Sequence, residues 1–484
     1  MIINQKLYCF DDRRNNKCCL VSFRVHKALK DQHENITCRK ERKKIMKAAL
    51  HTLGCKVNSY ETQAIREQLE ELGFEITDFD GYADIYVINT CSVTSVAAGK
   101  SRQMISKARK LNPSALIVAT GCYAQESGCG FKNPQMHAKP HAPDLIRGAD
   151  LIFGNNEKSH IAAAVYDYFY ASEKNSIDPC RAADLTFCRE FEQQRISDFD
   201  GHVRAYVKIQ DGCDRFCSYC VIPYLRGRSR SRDYDSIINE VKQLARSGFK
   251  EIVLTGIDMS TFKITGDPAS SDIALITLIE DISRIEGIER IRLGSLELSI
   301  ITDEWASRAG RCAKLCPQFH LSLQSGSDSV LKRMNRHYSS RDYYDAVCLL
   351  RKYFDQPAIT TDIIVGFPGE SEEEFLEAVD FVKKVGFARS HVFPFSARKG
   401  TKADKMPDQL NRTKKAERVR SLMAVTDRLS EIYEEEQKRS AARILVEEIS
   451  REKGQEYCIG YSEKYIRYKF VNDRGYKIND IVEK

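Results

Sequence analysis

The stretch GCDRFCSYCVIPYLRGRSRSR (212–232) places Cys213, Cys217 and Cys220 at C-x3-C-x2-C spacing, just after a strand expected over Ala205–Ile209. So short a loop can wrap three thiolates around three corners of a cubane iron–sulfur cluster, which leaves one iron without a protein ligand. That open corner can chelate the amino and carboxylate groups of S-adenosylmethionine. Zinc is the competing reading, but structural zinc closes its site with four protein ligands. No fourth Cys or His lies near the loop.

Outward from the loop, strand and helix patterns alternate. Strands are expected at Ala205–Ile209, Glu251–Thr255, Arg290–Leu293, Phe319–Leu323, Thr360–Val365 and Arg389–Phe393. Helices at Asp235–Ser247, Asp272–Ile285, Asp303–Ala309, Arg341–Phe354 and Glu372–Val385 separate them. A series this long closes most naturally as a full or partial βα barrel. Upstream, strands at Ala48–Leu53, Asp84–Asn89, Ala115–Thr120 and Leu151–Gly154 alternate with helices at Glu61–Leu72, Gly99–Leu111 and a last one through Tyr170. That is the grammar of a doubly wound parallel sheet. Downstream, Arg412–Lys438 reads as a long charged helix, and the last 45 residues as short strands of a small β-barrel.

The expected fold class is therefore α/β with an all-β end. Its domains are a sheet domain over 46–171, a polar linker over 172–200, a partial barrel over 201–425, and the helix with a small barrel over 426–484. Residues 1–45 show no periodicity, and Met46 opens the ordered pattern. We expect translation to start at Met46; a genuine basic tail is the alternative.

A second set of cysteines is spread out. Cys55, Cys91 and Cys122 stand in LGC, NTC and TGC, each just past one of the first three long strands. The carboxyl ends of such strands open on one crevice, and each cysteine stands near a helix start, where the dipole favours thiolate. A lone cysteine would be a packed thiol. Three at equivalent positions read as ligands that again leave one iron open.

Composition sets the remaining bounds. The 484 residues carry a net charge of +7, and residues 1–45 hold 12 Lys/Arg against 5 Asp/Glu, leaving 63 of each sign elsewhere. An RNA surface must then come from local clustering. No apolar stretch is long enough to span a membrane. Seventeen cysteines in such a chain point to a reducing compartment, and a cytoplasmic location is expected.

At these motifs the sequence resembles the radical S-adenosylmethionine methylthiotransferases over residues 46–484. The resemblance is carried by TLGCKVNSYET (52–62), NTCSVTSVA (89–97), TGCYAQ (120–125), the loop at 212–232, LSLQSGSDSVLKRMNR (321–336) and TDIIVGFPGE (361–370). It implies two 4Fe–4S clusters. The catalytic one sits on Cys213, Cys217 and Cys220, the auxiliary one on Cys55, Cys91 and Cys122. It also implies S-adenosylmethionine as cofactor, a tRNA substrate and a terminal TRAM barrel that helps hold RNA. A low-potential electron donor such as flavodoxin or ferredoxin, a sulfur donor and a monomeric state complete the expectation. GCKVN looks like the branch acting on threonylcarbamoyladenosine beside the anticodon. The isopentenyladenosine branch typically carries GCQMN, and the ribosomal-protein aspartate branch GCPKN. Asp258 and Gly294 depart from the family pattern near the expected cofactor site.

Candidate cofactor contacts are Ser295, Glu297, Gln324 and Asp362 at strand ends, with Gly366 and Gly369 in the turn GFPGE and Arg336 as a weaker one. Candidate RNA contacts are the guanidinium row Arg226, Arg228, Arg230 and Arg232, together with Tyr465 and Arg467. A differently acting iron–sulfur protein, an electron carrier or redox sensor, is the alternative from another class. Electron carriers usually close their clusters with four ligands.

Overall fold

The computed structural model describes residues 45–128, 146–171, 178–264 and 273–484. The extension before residue 45, most of the insert at 126–146 with Cys129, and residues 172–177 lie outside them. Six strands make the first sheet: Lys47–Thr52 (β1), Glu75–Thr77 (β2), Ile85–Thr90 (β3), Leu116–Gly121 (β4), Leu151–Phe153 (β5) and Cys180–Arg181 (β6). They pair in parallel in the order β2-β1-β3-β4-β5-β6. β3 and β4 are buried along their whole length, as apolar, β-branched strands covered on both faces should be. Lys56–Glu71 (α1), Ser95–Leu111 (α2), Cys122–Ser127 (α3) and Ile161–Tyr170 (α4) follow β1, β3, β4 and β5. The segment expected as a linker supplies β6 and buries Phe191, Ile196 and Phe199. Its polar composition concealed the strand because only two residues pair.

The central strands are Arg204–Lys208 (β7), with Gln210–Asp211 (β8) and Arg230–Ser231 (β9) as an antiparallel pair bracketing the cysteine loop and Ile222–Arg226 (α5). Then come Tyr234–Arg246 (α6), Glu251–Thr255 (β10), Ala274–Ser283 (α7), Arg290–Leu293 (β11) and Ser295–Leu296 (β12). Asp303–Arg311 (α8), Gln318–Leu321 (β13), Asp328–Arg333 (α9), Ser340–Tyr353 (α10), Ala358–Val365 (β14), Glu372–Val385 (α11) and Arg389–Pro394 (β15) complete the series. The parallel order runs β7-β10-β11, breaks at Gly294, and resumes as β12-β13-β14-β15. The Gly294 amide still donates to the Leu254 carbonyl (2.9 Å) across the break. The result is a partial barrel whose edge strands are β7 and β15. Capping boxes at Ser339/Asp342 and Ser371/Glu374 start α10 and α11.

Arg412–Gln437 (α12) runs along β15 to Arg443–Glu452 (β16), Gln455–Ser462 (β17), Arg467–Val471 (β18) and Ile481–Glu483 (β19). These four strands form an antiparallel half-barrel in the order β18-β17-β16-β19. It is fastened beneath the barrel. Arg290 donates to the carbonyls of Tyr461 and Arg443, Arg292 to those of Ser462 and Glu463, and Asn479 to that of Gly248.

One apolar core joins the first two domains. Tyr60 and Ala64 of α1 belong to the cluster that includes Val207, Ile237, Ile252 and Leu254 of the barrel. Burying a large side chain such as Tyr60 contributes about 1.5–3 kcal/mol, so α1 is a shared wall.

Candidate active site: two cysteine trios at one edge

The loop trio is shaped by backbone constraints. Gly212 has φ +74°, and a Cβ there would lie 2.0 Å from the Arg228 carbonyl oxygen, so only glycine lets β8 approach the strand that returns. Phe216 takes the left-handed conformation at φ +49°, and its carbonyl accepts from Asn335 Nδ2 (3.0 Å). The Ser218 amide and hydroxyl donate to the Met334 and Arg333 carbonyls. Arg336 Nη1 donates to Cys217 Sγ (3.2 Å), while its other nitrogens hold Glu297 and Tyr338. Burial pushes the Cys220 thiol up to about 12, and Cys213 is raised as well. Iron must displace those protons, so loading is a proton-releasing step. Three soft sulfur donors and no carboxylate among them suit an iron–sulfur cluster.

The distributed trio is assembled by topology. Thr90 and Gly121 are register partners, so Cys91 and Cys122 leave neighbouring strands side by side. Cys55 caps α1 after a turn in which a Cβ on Gly54 would stand 3.0 Å from Cys91 Sγ. Cys91 and Cys122 are buried and Cys55 is exposed. The helix starts were expected to favour thiolate; burial wins instead, and Cys91 is pushed up to about 11. Among the described residues no three Cys, His, Asp or Glu side chains stand at the spacing of ligands to one metal ion. In a cubane each thiolate binds its own iron, which separates the sulfurs more widely.

The two trios are neighbours. Cys122 packs against Val221 and Leu225, in the segment that follows Cys220. Asn155 ties the two together, donating to the Leu225 carbonyl (2.9 Å) with Cys122 Sγ 3.8 Å away.

The arginine row is a correction. Arg226, Arg230 and Arg232 are buried and face inward as a clamp between domains. Arg226 pairs with Glu61 and Asp211, each at 3.0 Å, and Arg232 with Glu240 at 2.9 Å. Lys208 and Lys158 also reach Glu61, at 2.7 and 3.1 Å. Surrounding cations hold the Glu61 and Asp211 carboxyls well below the usual range, against the burial that would raise them. No signal at 212–232 reveals this, because Glu61 is far away in sequence and Glu240, eight residues after Arg232, reads only as one more acid of a charged helix. Arg228 alone stays partly exposed, paired with Asp214 and stacked over Phe216.

Tyr465 stays exposed, its ring stacked on Tyr461, flanked by the Arg204 and Arg292 guanidiniums and lining the barrel cavity. Arg467 is exposed on β18. Ser295 and Asp362 line the same interior cavity, with Asp362 3.5 Å from His320. Gln324 is left-handed at φ +67° and bonded along β14. The Gly366 and Gly369 amides already donate to Glu370 and to the Asp408 carbonyl, so the GFPGE turn offers a cofactor neither amide. Asp258 was read only as a departure from the family pattern. It holds Arg215 at 2.8 Å and leaves its other carboxylate oxygen buried without a partner.

Comparison with known proteins agrees with this layout. Residues 207–382 match the radical SAM superfamily, and residues 47–142 match uncharacterized protein family UPF0004. Threonylcarbamoyladenosine tRNA methylthiotransferase MtaB of Bacillus subtilis (strain 168) is 39% identical over 87% of this chain and 90% of that protein. The protein of the same name from Aquifex aeolicus is 38% identical, over 84% and 94%. A tRNA-2-methylthio-N(6)-dimethylallyladenosine synthase of Acetivibrio thermocellus is 34% identical, over 87% and 85%. Among solved structures, the radical S-adenosylmethionine methyltransferase TsrM from Kitasatospora setae shares the fold. Its TM-score is 0.51 at 15% identity, over 72% of this chain and 75% of that one. With relatives this similar over nearly their whole length, the chain belongs to the radical S-adenosylmethionine methylthiotransferase family.

Proposed function

We propose that the chain installs a methylthio group at C2 of N6-threonylcarbamoyladenosine, next to the anticodon of tRNA. The observation that carries this reading is the meeting of two three-thiol sets, Cys122 lying against the segment that follows Cys220. The activity named for the Bacillus and Aquifex relatives supplies the substrate class. C2 bears an unactivated aromatic C–H bond that side-chain bases do not usefully deprotonate at neutral pH, so cofactors must carry the step. When bound, a 4Fe–4S cluster held by the loop trio would supply, with S-adenosylmethionine, the radical chemistry needed at C2, and a second cluster held by Cys55, Cys91 and Cys122 would present the sulfur, its methyl drawn from another S-adenosylmethionine.

The chain's own residues fix position and exclude water. Arg336 orients Cys217, Asn335 locks the loop at Phe216, and the Glu61–Arg226–Asp211 clamp sets the spacing between the trios. Ser295, Glu297 and Asp362 are the polar groups offered to the cofactor from the strand ends. Arg228 and Arg467 are the cations left to meet phosphates. The enzyme draws on a low-potential flavodoxin- or ferredoxin-type donor and a separate sulfur donor, and it works as a cytoplasmic monomer. Among the described residues no helix is long and apolar enough to cross a membrane.

Nucleoside mass spectrometry of tRNA from cells with and without the gene tests the reading. Loss of 2-methylthio-threonylcarbamoyladenosine, with its unthiolated precursor accumulating, is expected. Loss of only the isopentenyl derivative would move the chain to the branch of its Acetivibrio relative.

A further inference from the structure

The barrel interior holds a cavity of about 270 Å³ that touches both edge strands, and Lys56 enters it from the first turn of α1. Its lining is unbalanced in charge. Arg204 faces Glu447 and Glu251, Arg292 is held by Glu251, and Asp362 stands beside His320. Lys56 and Arg389 remain, and among the described residues neither has an acid partner. Lys56 and Arg389 are exposed while lining the cavity, so an anion entering it meets two cations not already paired with an acid.

Resting on the function proposed above, we infer that Lys56, with Arg389, binds the carboxylate of the threonyl group on the target adenosine. That carboxylate hangs from N6, which shares the Watson–Crick edge of the purine with C2, on the other side of N1. Lys56 follows Cys55 directly in the chain, while its side chain lines the cavity. A base whose C2 faces the cysteine trios therefore presents its N6 substituent on that same edge, toward the side chain that follows Cys55. Lys56 is a specificity residue. It distinguishes a base carrying an acid from one carrying a neutral side group of similar size, because desolvating the unmatched cation would cost affinity.

The test compares the holoenzyme with its Lys56→Gln, Lys56→Arg and Arg389→Gln variants. The probes are anticodon stem-loop RNAs bearing threonylcarbamoyladenosine, its threonyl methyl ester, or isopentenyladenosine. The readouts are RNA Kd, methylthiolation kinetics and S-adenosylmethionine Kd. A charge-assisted contact predicts that wild type binds the acid roughly ten- to a hundredfold tighter than the ester. In Lys56→Gln that preference should vanish, with ester binding and cofactor affinity as in wild type. Lys56→Arg should restore part of the preference, and Arg389→Gln should weaken it. The inference is overturned if Lys56→Gln keeps the wild-type acid-to-ester ratio. It is also overturned if the loss falls on S-adenosylmethionine Kd, which would assign the cations to the cofactor's own carboxylate. Wild type that modifies only the isopentenyl RNA would sink the proposed function and the inference together. Active wild type with an unchanged ratio in the variant sinks the inference alone.

Discussion

The two cysteine trios gather three thiols by opposite routes. Cys213, Cys217 and Cys220 sit within eight residues, on a loop held by a glycine contact, a left-handed Phe216 and bonds from the segment around Asn335. Cys55, Cys91 and Cys122 come from three strands, and only the parallel register of β1, β3 and β4 brings them together. The first site is a local structure that the barrel braces. The second is a consequence of tertiary packing, and it shares a wall with the barrel through α1. Damage to the loop should therefore stay local in structure yet stop all chemistry. Damage to packing should unmake the second site first.

Cys217→Ala tests the local half most severely. Cleavage of S-adenosylmethionine to 5′-deoxyadenosine and methylthiolation should both fall below detection, and the protein should retain about half its iron. Cys91→Ala should lose methylthiolation and a similar share of iron while reductive cleavage continues. Loss of cleavage in that variant would erase the distinction between the trios.

A third change attacks the buried clamp through which α1, carrying the second trio's Cys55 at its start, meets the barrel. Glu61→Gln leaves Arg226, Lys158 and Lys208 buried around a neutral group, and breaking a buried pair of this kind costs about 3–5 kcal/mol. Its thermal midpoint should fall, and iron at the distributed trio should be lost before iron at the loop. The pH dependence has a definite sign. Glu61 and Asp211 titrate lower in the folded chain than in the unfolded one. Their contribution is therefore complete above the unfolded carboxylate value of about 4 and is lost as pH falls through the lower folded values. Wild type should lose stability below that value, and Glu61→Gln should show a shallower acid loss in thermal melts across pH. The smallest effect belongs to Arg228→Ala. It should leave both clusters' iron untouched and reduce the salt slope of RNA binding by about one.

Much of this was legible in the sequence where the signal is local. The buried runs at Ile85–Thr90 and Leu116–Gly121 and the spacing of the loop cysteines each announce themselves within a few residues. What stayed hidden depends on which groups the fold brings into contact. RGRSRSR reads as a phosphate-facing row until Glu61, Asp211 and Glu240 are folded against it. The two-residue strand β6 gives no periodicity to detect. Arg336 stood in a recognisable run, but only the fold brings its guanidinium onto Cys217.

The fastening of the terminal half-barrel has a consequence for how a long polymer is measured. Arg290 and Arg292 grip successive carbonyls across β16 and β17, and Asn479 holds the opposite corner at Gly248. A sheet pinned at so many points does not swing like a hand on a tether; it works as a fixed gauge. On the proposed function, RNA held there would enter the barrel at one offset, so the nucleotide that arrives would be chosen by counting along the strand as well as by the chemistry of its base.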